Sequence, residues 1–123
     1  MFLPRIFKGK VSKQKGKEFE ELAAKYLRRK GYKILERNFR KRFGEIDIIA
    51  LKDNVLVFVE VRSLAGNFMD PSETITLRKR TNLLKVASVY LMERGWRGPV
   101  RFDFVGIKGR DKEIEHIENF FEV

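Results

Sequence analysis

Between Ser12 and Lys30 the apolar residues Phe19, Leu22, Ala23, Tyr26 and Leu27 recur at i, i+3, i+4, i+7 and i+8, the spacing of one helical stripe. Gly31 is placed to stop that helix. Glu20 lies about 100° round from Phe19, at the border of the stripe. The pattern then changes to period two. Tyr32–Phe39 reads as a short strand, and Gly44–Leu51 and Val55–Arg62 as strands rich in Ile, Val and Phe, with Lys52-Asp53-Asn54 a hairpin-sized connection. Ser63–Ser72, which carries Gly66, Asn67 and Pro71, reads as a loop. Helical spacing returns over Leu77–Arg94, with Leu77, Leu84, Ala87 and Leu91 on one face and Gly95 at the end. Val100–Ile107 alternates, with Val100, Phe102 and Phe104 on one face and Arg101, Asp103 and Val105 on the other. Glu113–Phe121 fits either a strand or a poorly formed helix. The order α-β-β-β-α-β, a hairpin followed by a helical crossover, predicts an α/β fold with a mixed sheet and helices packed on it.

Composition narrows the chemistry. At 123 residues and 43% hydrophobic, the chain is one globular domain with one core. Residues 1–11 read as a loose basic arm and residues 12–123 as the domain. Cysteine is absent and histidine occurs once, so disulfides, thiolate sites and multi-histidine zinc sites are excluded. His116 lies in an acidic stretch without a nucleophile motif and reads as a surface or packing residue. A net charge of +10 implies a polyanionic partner, nucleic acid or an anionic surface. The charge is concentrated in the N-terminal stretch with Lys13, Lys15 and Lys17, and around Arg78, Lys79 and Arg80. No stretch is apolar enough for a membrane span, nor is Met1–Phe7 long enough for a signal peptide, so the expected location is cytoplasmic.

The informative chemistry is a set of carboxylates on strands. In Gly44-Glu45-Ile46-Asp47 the two acids share a face, as Glu60 and Arg62 do in Glu60-Val61-Arg62. Ile46, Ile48, Val59 and Val61 take the other faces, towards a core. Carboxylates among such residues are unfavourable to bury unless compensated. A divalent cation is a suitable compensator, because Mg²⁺ is held by one or two carboxylates plus substrate phosphate. Glu45 reads as an exposed edge charge rather than a ligand. For Glu20 the competing reading is a helix-surface acid paired with Lys17 or Lys25. For Arg62 it is a salt bridge to Asp47 or Glu60.

The combination of Glu20 on the first helix, Asp47 on one strand and Glu60-x-Arg62 on the next resembles the PD-(D/E)xK nuclease superfamily. More closely, the chain resembles the YraN-type family of bacterial proteins, restriction-endonuclease-like in fold and similar to archaeal Holliday junction resolvases. The resemblance is carried by Glu20-Glu21-Leu22-Ala23 with Tyr26-Leu27, Gly31-Tyr32, Arg37-Asn38, Gly44-Glu45-Ile46-Asp47 and Val57-Phe58-Val59-Glu60-Val61. Pro71, Lys79 and Arg101-Phe102-Asp103 continue it. It implies that Asp47 and Glu60 bind Mg²⁺ or Mn²⁺ and that Glu20 acts as a third carboxylate or holds a metal-bound water. It also implies DNA, branched DNA included, as substrate, with DNA favoured over RNA, and a homodimer if two strands are cut. At the position of the motif lysine this chain has Arg62. Arginine clamps phosphate but is a very poor general base. Either the metal alone activates water, or Lys79 reaches in from the second helix, or catalysis is weak or absent. The alternatives are a non-catalytic nucleic-acid-binding module of the same fold and a basic adaptor for an anionic partner.

Overall fold

The computed structural model describes residues 2–64, 75–108 and 111–121. Helix α1 spans Phe2–Arg29, followed by strands β1 (Lys33–Lys41), β2 (Gly44–Lys52) and β3 (Val55–Leu64), helix α2 (Leu77–Arg94), and strands β4 (Val100–Lys108) and β5 (Glu113–Ile117). The backbone of the stretch expected to be a loose arm is therefore helical from Phe2. Pro4 sits in the first turn, where its missing N–H has no intrahelical partner to lose. The undecided C-terminal segment contains a strand. Ser63 and Leu64 extend β3, and the rest of the expected loop, with Pro71, falls among residues 65–74, outside the described residues.

The sheet runs in the order β1-β2-β3-β4-β5. Among the described strands, only β3 and β4 pair in parallel. That pair is joined through α2, as a parallel connection requires. The β2–β3 hairpin turns on Asp53 (φ 49°) and Asn54 (φ 65°), two left-handed residues of the kind that match strand twist. Helix α2 begins at an N-cap, Thr76, whose hydroxyl accepts from the Lys79 N–H, and ends at Gly95 in the left-handed region at φ 63°.

The helices cover opposite faces. Leu83, Val86, Ala87 and Tyr90 of α2 pack with Phe39, Ile46, Ile49, Leu56, Phe58, Phe102 and Phe121. Ala23, Ala24 and Leu27 of α1 pack with Tyr32, Ile48, Ala50, Val57, Val59 and Val105. The buried stripe of α2 differs from the expected one: Ala87 belongs to it and Leu84 and Leu91 flank it, but Leu77 is 77% exposed. The i, i+3, i+4, i+7 set starting at Leu83 faces the sheet, and Leu77 in the first turn points away from it. Together these features form an α/β fold with a five-stranded mixed sheet flanked by two helices, the arrangement of a restriction-endonuclease-like core.

Candidate functional site

The functional geometry depends on an irregularity in β1 and β2. Ile46 packs on the α2 side, but Ile48 packs on the α1 side, so strict alternation fails between them. Asp47 and Ile48 therefore both face α1. The expectation that Ile46 and Ile48 share a face is corrected here. The cause lies in the facing strand. Arg37 pairs with Ile48 and Phe39 with Ile46, and between them Asn38 adopts φ 53°. Glu36 reaches Arg94 on α2, Arg37 and Asn38 both reach α1, and Phe39 returns to the α2 core. Asn tolerates the left-handed region better than most side-chain-bearing residues. Opposed slips in the two strands thus turn a polar patch of the sheet towards the first helix.

In that patch Glu20 of α1 meets Glu45 and Asp47 of β2, each offering a carboxylate oxygen within 4.8 Å of the others. Glu20 is not paired with Lys17 or Lys25. Its Oε1 accepts from Asn38 Nδ2 at 3.2 Å and lies 3.7 Å from Arg37 Nη2. Glu45 Oε1 accepts from Arg40 Nε and Nη2 at 3.1 and 2.9 Å. Asp47 Oδ2 accepts the Val61 N–H at 2.8 Å, at the point where the described β2–β3 pairing, which runs from Ile48–Val59 to Lys52–Val55, has ended. Burial pushes Asp47 well above the usual aspartate range, and the charge on Glu60 pushes it further. Glu20 is also raised, mainly by burial, against the opposing effects of Asn38 and Arg37.

Glu60 belongs to the α2 side of the same region. It is 5% exposed, and its Oε2 accepts from Arg62 Nε at 3.1 Å and lies 3.7 Å from Lys79 Nζ. Its Oε1 is buried and has no hydrogen-bond partner among the described residues. Sequence reasoning had joined Asp47, Glu60 and Glu20. In the structure Glu20 and Asp47 come together with Glu45, while Glu60 acts on Asp47 through its charge and carries the cations Arg62 and Lys79. The Arg62–Glu60 pairing is one of the two salt bridges considered for Arg62. Lys79 does reach in from the second helix. Arg78 next to it is exposed, and Arg80 lies with its guanidinium 5.6 Å from the Phe121 ring centre. Lys17 is exposed on α1; the side chains of Lys13 and Lys15 lie outside the described ones.

Two groups of residues escaped the sequence reading. Glu45 was read as an edge charge, although its alternation with Asp47 was the signal that it shares the patch. The other group surrounds Asp103, which is fully buried. It accepts from Arg101 Nε and Nη2 at 2.8 Å each and from the Asn119 N–H at 3.0 Å, and His116 Nε2 lies 2.8 Å away. Arg101 also donates to the Tyr32 hydroxyl at 2.7 Å, and His116 Nδ1 lies 3.0 Å from the Tyr26 hydroxyl. Burial alone would raise Asp103, but His116, Arg101 and the Asn119 N–H together outweigh it and hold the carboxyl below its usual range. His116 is thus neither a surface residue nor simple packing; it ties β5 to β4 and α1.

The described helices include none long and apolar enough to cross a membrane. The family model described as "Uncharacterised protein family UPF0102" matches residues 19–107. The chain is similar to a UPF0102 protein of Thermodesulfovibrio yellowstonii, 50% identical over 107 residues, covering 86% of this chain and 94% of the relative. A UPF0102 protein of Thermotoga petrophila is 48% identical over 105 residues, 85% of this chain and 94% of its own length. One from Syntrophomonas wolfei is 49% identical over 106 residues, 83% of this chain and 92% of its own. The matched span contains Glu20, Asn38, Glu45, Asp47, Glu60 and Lys79, and the chain belongs to the UPF0102 family.

Proposed function

We propose that this protein is a Mg²⁺- or Mn²⁺-dependent endonuclease-like protein that binds DNA, branched DNA included, and hydrolyses phosphodiester bonds at the carboxylate cluster. The supporting observation is the convergence of three partly buried acids, Glu20, Glu45 and Asp47, whose carboxylate oxygens lie within 4.8 Å of one another. Asp47 and Glu20 are both raised above their ordinary ranges, and Glu60 buries an oxygen without a hydrogen bond among the described residues. A protein interior normally pairs such groups. Hard oxygen donors of this kind suit a small divalent cation.

Asp47 would hold the cation with Glu20 and Glu45, whose carboxylate oxygens lie within 4.8 Å of one another, and Glu60, whose charge acts on Asp47, would complete the set. When bound, the cation would lower the pKa of an attacking water and offset charge on the phosphoryl oxygens. The chain's own residues supply the remainder. Arg62 stays protonated and has a fork suited to phosphate, so its role is to bind and orient the scissile group, not to remove a proton. Lys79 shares the Glu60 carboxylate with Arg62. Its amine lies 3.7 Å from the Glu60 carboxylate, and its role is to hold the attacking water or the phosphate. Arg78 and Lys17, both exposed, extend the positive surface along which a nucleic-acid backbone would lie.

One observation favours a second reading. Arg62 is committed to Glu60 at 3.1 Å, which suits a nucleic-acid-binding module whose chemistry has been lost. The two readings separate in one experiment: labelled single-stranded, duplex and four-way-junction DNA incubated with Mn²⁺ and wild-type, Glu60→Ala or Arg62→Lys protein. Cleavage by the wild type that disappears in Glu60→Ala supports the nuclease, and faster Arg62→Lys cleavage would locate the weakness at that position. Intact binding without cleavage by wild type or Arg62→Lys supports the binding module.

A further inference from the structure

We propose that Asn38 is a positioning residue of the carboxylate cluster. By fixing one oxygen of Glu20, it presents the other, together with Glu45 and Asp47, to the divalent cation. This inference rests on the metal-binding reading above. Each of the three carboxylates is held by one oxygen only. Glu20 Oε1 is taken by Asn38 and Arg37, Glu45 Oε1 by Arg40, and Asp47 Oδ2 by the Val61 N–H. Among the described residues, the second oxygen of each carries no hydrogen bond. The three acids come from two elements, but the side chains anchoring two of them all come from β1. Strand β1 thus works as a brace across the site.

Asn38 has a double part in that brace. Its left-handed backbone, φ 53°, is the slip that turns two consecutive β1 residues towards α1. Its amide then makes the hydrogen bond to Glu20 that the slip allows, at 3.2 Å. An amide is a suitable group for this. It orients the carboxylate without adding a second full charge beside Arg37, whose Nη2 lies 3.7 Å from the same oxygen. Residues that hydrogen-bond metal-ligating carboxylates commonly change affinity by 10–100-fold when removed. The Asn38–Glu20 bond is exposed to solvent, which places the expected effect at the lower end, about tenfold.

Asn38→Gly separates the two parts, because glycine keeps the positive φ without strain but has no amide. The experiment is Mn²⁺ titration by isothermal calorimetry of metal-stripped wild type, Asn38→Gly, Glu20→Gln, the double variant and Asp47→Ala. Thermal midpoints in chelator are recorded beside each titration. The expected result is wild-type binding lost in Asp47→Ala, about tenfold weaker in Asn38→Gly, and no further weakening by Asn38→Gly in the Glu20→Gln background. Equal affinity in wild type and Asn38→Gly would overturn the positioning role and leave the metal site standing. So would a Gly effect of equal size with and without Glu20, since the residue would then be acting on the fold alone. Absence of Mn²⁺ binding by the wild type, or full binding by Asp47→Ala, would overturn the metal site itself and the positioning role with it.

Discussion

Without a cation, the carboxylate cluster should destabilise the protein, and Asp47→Asn should therefore stabilise it. Asparagine keeps the size of aspartate, and its Oδ1 can still accept the Val61 N–H that Asp47 now accepts at 2.8 Å. What is lost is a partly buried charge facing Glu20 and Glu45, whose ligand oxygens lie within 4.8 Å. At that separation and an effective dielectric of about 20, one pair of unit charges repels by about 3.5 kcal/mol. Arg37 and Arg40 offset much of the charge on Glu20 and Glu45. Side-chain exposures of 15% and 28% screen part of the rest. A net stabilisation of about 1–3 kcal/mol remains at pH 8. The pH dependence has a definite sign. Asp47 is raised in the folded state, so the folded protein binds more protons than the unfolded chain. Wild-type stability in chelator must fall as pH rises from about the ordinary 3.8 through the raised folded value. The advantage of Asp47→Asn must grow over the same range and vanish near pH 4. Urea unfolding in chelator at a series of pH values measures this directly. A variant less stable than wild type at pH 8, or a difference that does not change with pH, would refute the electrostatic account of the cluster.

Two further outcomes follow from other parts of the molecule. Asp103→Asn leaves the Arg101 guanidinium without its bidentate partner and should destabilise by about 3 kcal/mol in urea unfolding at pH 7, the lower end for a broken buried ion pair because Arg101 is 23% exposed. Since Asp103 is held below its usual range, that loss should shrink as pH falls below 3.8. Arg78→Ala on the exposed start of α2 should weaken duplex binding uniformly across sequences and reduce the slope of log affinity against log salt by about 1, read from fluorescence anisotropy between low and moderate salt.

Most of the architecture was legible because burial follows simple periods. The bounds of α2 and Gly95 as its stop, the β2–β3 hairpin and the extent of β4 all follow from patterning and turn chemistry, although β4 is buried on both faces from Phe102 to Ile107. Leu77 was misplaced because the apolar stripe begins a turn and a half later than the helix, and only packing against the sheet fixes its phase. The N-terminal extension of α1 was missed because Pro4 and Gly9 read as helix breakers, although Phe2, Leu3, Ile6 and Phe7 recur at helical spacing. At the site, the acids themselves stood out as charged residues on apolar strands. Which of them meet did not, because that depends on a backbone slip at Asn38 and Asp47 that period-two reasoning cannot contain. The Asp103 cluster stayed hidden for a related reason: Tyr26, Tyr32, Arg101 and His116 are separated along the chain and meet only once β5 has paired with β4.

The central claim is that a divalent cation occupies the cluster, and anomalous diffraction from a crystal soaked in Mn²⁺ tests it most directly. The account predicts a manganese peak at about 2.1 Å from oxygens of Asp47 and Glu20, with Glu45 or Glu60 completing the protein ligands. A peak elsewhere, or none at a Mn²⁺ concentration that saturates metal-dependent nucleases, with these carboxylates bonded only to protein and water, would contradict it.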